Sequence, residues 1–321
     1  MEFTCSFPPG PRSVEWAQLA ESLGYGRVYL HDSPALYWDV WATLANVAGD
    51  TDGIGLGALV IPSLRHVLVT ASAIATIEDL APGRLAVVVG TGFTGRMMLG
   101  KRPLSWSHVE RYIRQLRALL RGEEVEVDGR LVSMRHPAGW APPRPIEVPI
   151  IVAANGPRGI GVAHDVGDGI FCMTPVSGFE CCVFGTAGTV LRDGESLESP
   201  RVLDAIGPAL ALNYHFTYEM GGDAVDELPG GKEWRVSVEE FPEASRHLYV
   251  HEGHGVAPNA RELPYLSPHL GQFTTTGSGD ELRQKFTEYQ DAGVTELAYA
   301  PMGSDVAGEL RAMADVAGIV A

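Results

Sequence analysis

Short runs of strand-forming residues alternate with longer amphipathic stretches along most of the chain. The short runs stop at Gly, Asn or Asp, and the longer stretches carry apolar residues at helical spacing. This alternation predicts a parallel sheet covered by helices. The predicted strands cover residues 2–7, 27–30, 54–60, 85–89, 149–153 and 169–172, one run within 202–215, and 295–301. The predicted helices cover residues 13–23, 39–48, 70–80, 107–121, about 157–166 and 280–293, followed by a terminal helix.

About eight β/α units predict a closed (β/α)8 TIM-like barrel, an α/β fold whose functional residues lie at the carboxyl ends of the strands. Residues 216–272 are less regular and contain many Gly, Pro, His and Glu residues. We expect them to form an irregular or helical insertion over one mouth of the barrel. Residues 1–321 are thus expected to form a single barrel domain carrying this insertion.

Two strand ends run directly into glycine-containing turns. VPIIVAANGP (148–157) precedes a predicted helix, and LAVVVGTGFTG (85–95) contains a G-x-G-x-x-G pattern. Unpaired backbone N–H groups at such junctions bind phosphate groups. The pattern alone would also fit a Rossmann fold, but three β/α units precede it, and the next predicted helix starts only near residue 107. A cofactor phosphate site and a purely structural glycine turn both remain open for residues 90–95.

The loop HDSPALYWD (31–39) follows the second predicted strand and mixes carboxylates, a hydroxyl and aromatic rings. Such a loop at the carboxyl face of a barrel suits a flat aromatic ligand. Asp32 and Asp39 have simpler roles as alternatives, because Asp is common in turns and at helix N-caps. The sequence has no G-x-S-x-G or G-x-x-x-x-G-K motif, which argues against hydrolase and kinase chemistry.

Histidines are concentrated in HLYVHEGH (247–254). His251 and His254 are three positions apart, whereas the zinc motif H-E-x-x-H places its histidines four apart on one helical face. We therefore expect no metal site in this segment. His66 and His215 each lie near a predicted strand end, where catalytic and structural roles are both open.

The net charge argues against two classes of binding partner. Forty acidic and 24 basic residues give a formal net charge of −16, which disfavours binding to nucleic acid or to anionic membranes. No apolar run approaches the roughly 20 residues that span a bilayer, and the first residues do not resemble a secretion signal. The four cysteines form no C-x-x-C pair, which favours a reduced, cytoplasmic location.

Several segments, taken in order, resemble the bacterial luciferase-like superfamily, in particular its deazaflavin-dependent branch that includes methylenetetrahydromethanopterin reductase and glucose-6-phosphate dehydrogenase. The resemblance covers nearly the whole chain. It rests on AESLGYGRVYLHDSP (20–34), IGLGALVIPSLRH (54–66), ATIEDLAPGRLAVVVGTG (75–92), VPIIVAANGP (148–157) and AHDVGDGIF (163–171).

This resemblance implies a TIM-like barrel that binds coenzyme F420, or alternatively FMN, at the strand carboxyl ends, and it implies a homodimer. It also implies a non-prolyl cis peptide bond between Leu59 and Val60, against the cofactor ring. The proton that accompanies hydride transfer is assigned to Asp32, Tyr37 or His215. The residues that the resemblance assigns to cofactor binding are Asp32, Leu59, Val60, Gly90, Thr91, Gly92, Ala154, Asn155, Gly156 and Pro157.

The chain departs from its sugar-oxidising relatives at two positions. Those dehydrogenases have His after the strand-two Asp and Glu after the GTG segment, where this chain has Ser33 and Phe93. We therefore expect hydride transfer from the reduced deazaflavin to an electron-poor C=C or C=N bond of a small organic substrate. The alternatives are an FMN-dependent monooxygenase and a cofactor-binding protein without turnover.

Overall fold

The computed structural model describes residues 1–267, 271 and 273–320. Its central feature is a closed barrel of eight parallel strands, which confirms the (β/α)8 prediction. The strands follow one another around the barrel in the order β1-β10-β9-β8-β7-β4-β3-β2. The barrel strands are β1 (Glu2–Phe7), β2 (Arg27–His31), β3 (Gly55–Val60), β4 (Leu85–Gly90), β7 (Ile150–Ala153), β8 (Gly169–Cys172), β9 (Cys182–Ala187) and β10 (Glu296–Ala300). Strands β5 (Val125–Val127) and β6 (Arg130–Val132) form a separate antiparallel ribbon.

Helices surround the barrel and cover one of its mouths. They are α1 (Ser13–Ser22), α2 (Val40–Asp50), α3 (Val67–Leu80), α4 (Phe93–Met97), α5 (Trp106–Arg121), α6 (Pro157–Val166), α7 (Pro200–Gly221), α8 (Gly231–Glu239), α9 (His247–Val250), α10 (Gly279–Asp291) and α11 (Val306–Ala317). Side-chain caps set several helix starts. Ser105 accepts the His108 N–H at the start of α5, and Ser278 and Glu281 form a reciprocal capping box at the start of α10.

The strands are apolar on both faces because each face packs against protein. In β4, Ala86 and Val88 point into the barrel interior, and Val87 and Val89 pack in the layer between barrel and helices. This double burial explains why the strands appear in the sequence as almost continuous apolar runs. Tyr29 fills much of the interior and is fully buried.

The seventh strand was predicted wrongly within residues 202–215. Those residues belong to helix α7, and the strand at that place in the barrel is β9. Four buried side chains spaced four residues apart form one face of α7, namely Val202, Ile206, Leu210 and Tyr214. Helical spacing was therefore present, but most of the residues between are also apolar, which hides a period of 3.6 in a short window.

A helical segment, defined here as residues 200–267, leaves the barrel after β9 and lies against the loops that follow β2 and β4. It starts upstream of the expected insertion 216–272, of which residues 268–270 and 272 lie outside the described part of the chain. The ring centroids of Phe216 and Phe93 are 5.2 Å apart, and the Tyr37 hydroxyl donates to the His254 carbonyl at 2.5 Å. The segment has a small core of its own around Trp234.

The cis peptide bond expected at Leu59–Val60 is not found. Within the described residues the cis bond is Arg144–Pro145. Leu59 and Val60 instead continue the regular parallel pairing of β3, opposite Val88 and Val89, which requires ordinary trans backbone. In the part of the chain that the structure covers, no helix has the length and apolarity needed to cross a membrane.

Candidate active site

A cavity of about 370 Å³ lies at the carboxyl ends of five neighbouring barrel strands, β2, β3, β4, β7 and β8. This is the face at which barrel enzymes place their active sites. Its walls are mainly apolar, with a few polar groups at the strand ends. The lining residues are His31, Asp32, Ser33, Leu59, Val60, Ile61, Val88, Gly90, Thr91, Gly92, Phe93, Thr94, Gly95, Ala153, Ala154, Asn155, Phe171 and Met173.

The glycine turn after β4 forms one wall of this cavity. Gly92 has a φ of +78°, and a Cβ there would lie 2.3 Å from Ile61 Cγ2, so only glycine fits. Helix α4 starts at the next residue, Phe93, much earlier than the helix expected near residue 107. The G-x-G-x-x-G pattern thus opens a short helix in a closed barrel, and the fold is not that of a Rossmann domain.

Asp32 faces the cavity from the end of β2, and its side chain is 1% exposed. Among the described residues neither carboxylate oxygen has a hydrogen-bond partner. The nearest cation is Arg65, whose Nη2 lies 3.7 Å from Asp32 Oδ1. Burial raises the pKa of Asp32 to about 6, and Arg65 limits that rise. A carboxyl group with such a pKa exchanges protons near neutral pH.

Asp39 has the simpler of its two predicted roles. Its Oδ1 accepts the N–H groups of Trp41 and Ala42, both at 3.0 Å, and caps the start of α2. Its Oδ2 accepts from Arg65 at 2.5 Å, so the arginine lies between the two aspartates. His66 is also a cap, because its Nδ1 accepts the Leu68 N–H at the start of α3.

The turn Ala154-Asn155-Gly156-Pro157 connects β7 to α6 beside the cavity. Asn155 Oδ1 accepts the Met173 N–H at 2.6 Å, which fixes the turn to the end of β8. Helix α6 begins at Pro157, and no described side chain caps its first N–H groups. Gly156 and Pro157 flank the cavity without lining it. An uncapped helix start beside a cavity is a favourable place for a phosphate group.

Two of the residues considered for proton transfer lie elsewhere. Tyr37 lines a second cavity, of about 320 Å³, between the start of the chain and residues 301–306. His215 lies on α7, is 1% exposed and contacts Glu262 and His254. It is therefore on a helix, not at a strand end as expected. The structure brings Asp32 together with Leu59, Val60, Gly90, Thr91, Gly92, Ala154 and Asn155.

Sequence reasoning missed several residues that line the cavity, among them Ile61, Phe171 and Met173. All three lie at or just beyond the carboxyl end of a barrel strand. That position was the available signal, because each of those strands was predicted. None of the three belongs to a glycine or carboxylate motif, so no pattern marked them.

Comparison with known proteins identifies the family. The sequence model of the family described as luciferase-like monooxygenase matches residues 8–180, just over half of the chain. The chain belongs to the luciferase-like monooxygenase family. Membership makes this luciferase-like protein an oxidoreductase, and the matched residues include all of those that line the cavity.

Relatives extend the match over nearly the full length. A 5,10-methylenetetrahydromethanopterin reductase from Methanolobus tindarius is 26% identical over 94% of this luciferase-like chain and 95% of its own. An F420-dependent glucose-6-phosphate dehydrogenase from Beutenbergia cavernae is 35% identical over 51% of this chain and 53% of its own. The solved structure of the coenzyme F420-dependent tetrahydromethanopterin reductase from Methanopyrus kandleri has the same fold, with a TM-score of 0.69, 16% identity and coverage of 98% and 97%.

Proposed function

We propose that the protein is an oxidoreductase that uses coenzyme F420 to transfer a hydride to a small organic substrate with an activated C=C or C=N bond. The observation that carries the proposal is the cavity at the strand carboxyl ends, where a buried carboxyl group that has no hydrogen-bond partner among the described residues faces apolar walls. The relatives from Methanolobus tindarius and Beutenbergia cavernae support the choice of activity, since one is a reductase and the other is F420-dependent.

The residues present fit a flat ring with a phosphate-bearing tail. Leu59, Val60 and Phe171 supply apolar surface for the ring. The uncapped N–H groups at the start of α6 suit a phosphate. Gly92 keeps the β4 turn free of a side chain, which leaves room beside Ile61. The deazaflavin, when bound, supplies the hydride chemistry, and the chain supplies position, exclusion of water and a proton.

We assign to Asp32 the transfer of the proton that accompanies hydride transfer. Its raised pKa of about 6 places it in the range in which a carboxyl group acts as general acid or base near neutral pH. Arg65 Nη2 lies 3.7 Å from Asp32 Oδ1, and its charge limits how far the pKa of Asp32 rises. Ser33 and Phe93 stand where sugar-oxidising relatives have His and Glu, so we do not propose a sugar phosphate as substrate.

The test is a binding titration of the apo-protein with coenzyme F420 and, separately, with FMN, followed by fluorescence quenching. We expect F420 to bind at least about 10-fold more tightly than FMN, a difference of about 1.4 kcal/mol. Preference for FMN would replace the proposal with oxygen activation by a flavin. Binding of neither cofactor would contradict the assignment of the cavity.

A further inference from the structure

Three histidines that are far apart in the sequence meet inside the helical segment. His215 lies on α7, and His251 and His254 follow α9. The Nδ1 atoms of His215 and His254 are 3.0 Å apart, and those of His251 and His254 are 3.2 Å apart. Ring nitrogens of all three residues lie within 4.8 Å of one another. His215 and His251 are almost fully buried, with 1% and 0% exposure.

Acidic and hydroxyl groups lie behind each ring, on the side away from the shared centre. His215 Nε2 is 2.5 Å from Glu262 Oε1, and His251 Nε2 is 3.5 Å from Glu219 Oε1. His254 Nε2 is 3.2 Å from the Thr94 hydroxyl oxygen. A carboxylate accepts hydrogen bonds only, so His215 directs its Nε2–H at Glu262 and leaves a lone pair on its inward Nδ1. His251 Nε2 lies near the Glu219 carboxylate but has no hydrogen-bond partner among the described residues.

The inward lone pair of His215 needs a partner. If His215 and His251 both point a lone pair at His254, a single proton on His254 Nδ1 can serve only one of them well. A bound cation satisfies all three nitrogens at once. Zinc–nitrogen bonds of about 2.0–2.1 Å place two ligand nitrogens of a tetrahedral ion about 3.3 Å apart, close to the two Nδ1 distances in the cluster.

We propose that His215, His251 and His254 bind one divalent transition metal ion, of which zinc is the representative, through their Nδ1 atoms. Imidazole is the ligand that such ions prefer, and carboxylates behind the rings orient metal-binding histidines in many proteins. Glu262 is itself fixed, since it is fully buried and accepts the Asn259 N–H at 2.9 Å. Three protein ligands leave a further position for water or another group.

This site does not follow the H-E-x-x-H zinc motif. The spacing of His251 and His254 predicts no metal site within residues 247–254, but the third histidine lies on α7, outside that stretch. The ion joins α7 to the chain after α9, and Thr94 connects it to the helix that lines the candidate active site. Its expected role is to fasten the helical segment over the barrel mouth.

The test uses the full-length chain without a polyhistidine tag, stripped of metal with a chelator and titrated with Co²⁺ alone. We expect one Co²⁺ per chain, visible absorption bands of a tetrahedral nitrogen site, and displacement by Zn²⁺. Thermal unfolding should shift to higher temperature when Zn²⁺ is added, because the ion binds the folded state. Absence of saturable Co²⁺ uptake, or an unfolding temperature that does not change when Zn²⁺ is added, would overturn the proposal.

Variants locate the ion. His254→Gln should weaken Co²⁺ binding by at least about 100-fold, whereas His247→Gln, in the same segment but outside the cluster, should bind as the wild type does. Equal binding by the two variants would place the ion elsewhere and contradict the assignment. Circular dichroism checks that His254→Gln folds. If this variant does not fold, the change in the wild-type unfolding temperature on addition of Zn²⁺ tests the proposal instead.

Discussion

Two aspartates seven positions apart have different roles because of their surroundings. Asp32 is buried at the cavity without a hydrogen-bond partner among the described residues, and Asp39 caps α2 at the surface. The sequence located both, since each follows a strand-like run or precedes a helical one. The sequence could not show whether each aspartate belongs to a turn, a helix cap or the active site. The burial of Asp32 depends on Arg65 and on loops from elsewhere in the chain.

Replacing Asp32 by Asn should lower turnover and leave cofactor binding nearly unchanged. Loss of a positioned proton donor typically costs about 100-fold or more in kcat, while the amide keeps the size and polarity of the side chain. Steady-state kinetics and an F420 titration measure the two effects separately. Unchanged kcat would remove Asp32 from the reaction.

The same substitution should change how stability depends on pH. The pKa of Asp32 rises from the ordinary 3.8 to about 6 on folding. Between these values the folded chain binds more protons than the unfolded chain, so the free energy of unfolding falls as pH rises. In Asp32→Asn this loss disappears, and the free energy of unfolding of the variant relative to wild type should increase by about 2.4 kcal/mol from about pH 4 to about pH 7.

Asp39→Asn is the matched control, measured by urea denaturation from about pH 2 to about pH 7. Burial alone would raise the pKa of Asp39, but the Ala42 N–H and Arg65 outweigh it and lower that pKa. The wild type gains stability from this carboxylate as pH rises from the folded pKa to the unfolded pKa of 3.8, so Asp39→Asn should lose stability relative to wild type over that interval and change little above about pH 4. If the stability of both variants relative to wild type changed in the same direction with pH, the opposite pKa shifts of Asp32 and Asp39 would be refuted.

At the scale of elements, seven of the eight barrel strands and the flanking helices were predictable from apolar runs and periodicity. The assignment of the remaining strand, β9, failed because α7 and β9 both contain largely apolar runs, and tertiary packing decides between helix and strand in such windows. The candidate site followed from the strand ends. The part contributed by apolar neighbours, such as Ile61 and Phe171, depends on barrel closure and was not predictable from motifs.

The start of α6 offers a test of the phosphate assignment. Gly156 has ordinary extended backbone, and a Cβ there would meet no atom of the described residues within 4 Å. Asn or Asp at this position should cap the helix and raise the free energy of unfolding of the apo-protein by a few tenths of a kcal/mol. Gly156→Asp should also weaken F420 binding more than Gly156→Asn, because its charge competes with the phosphate. Equal F420 affinities would argue that the phosphate lies elsewhere.

In the whole molecule, the barrel interior forms the floor of the cavity. Tyr29 and Phe171 make an edge-to-face contact, with ring centroids 5.6 Å apart, and Phe171 reaches the cavity. A Cβ added at Gly57 would lie 2.1 Å from Tyr29 Cδ1. The absence of a side chain at Gly57 therefore gives Tyr29 its place in the interior.

Gly57→Ala should lower the free energy of unfolding of the whole barrel by about 1–3 kcal/mol, the usual range for overpacking. Gly49→Ala in α2 is the control, since a Cβ there meets no atom within 4 Å and should leave stability equal or slightly higher. Denaturant midpoints measure both. A Gly57→Ala midpoint as high as that of the control would show that the interior has spare room.

The family match ends at residue 180, ahead of β9 and of the helical segment. The match therefore spans β2, β3, β4, β7 and β8, the five strands whose ends form the cavity, while the cover of the mouth comes from one later, contiguous stretch. Substitutions in that stretch can alter the cover and leave the five strand ends unchanged. Proteins with the same cover as this chain are accordingly the ones to compare when its substrate is sought.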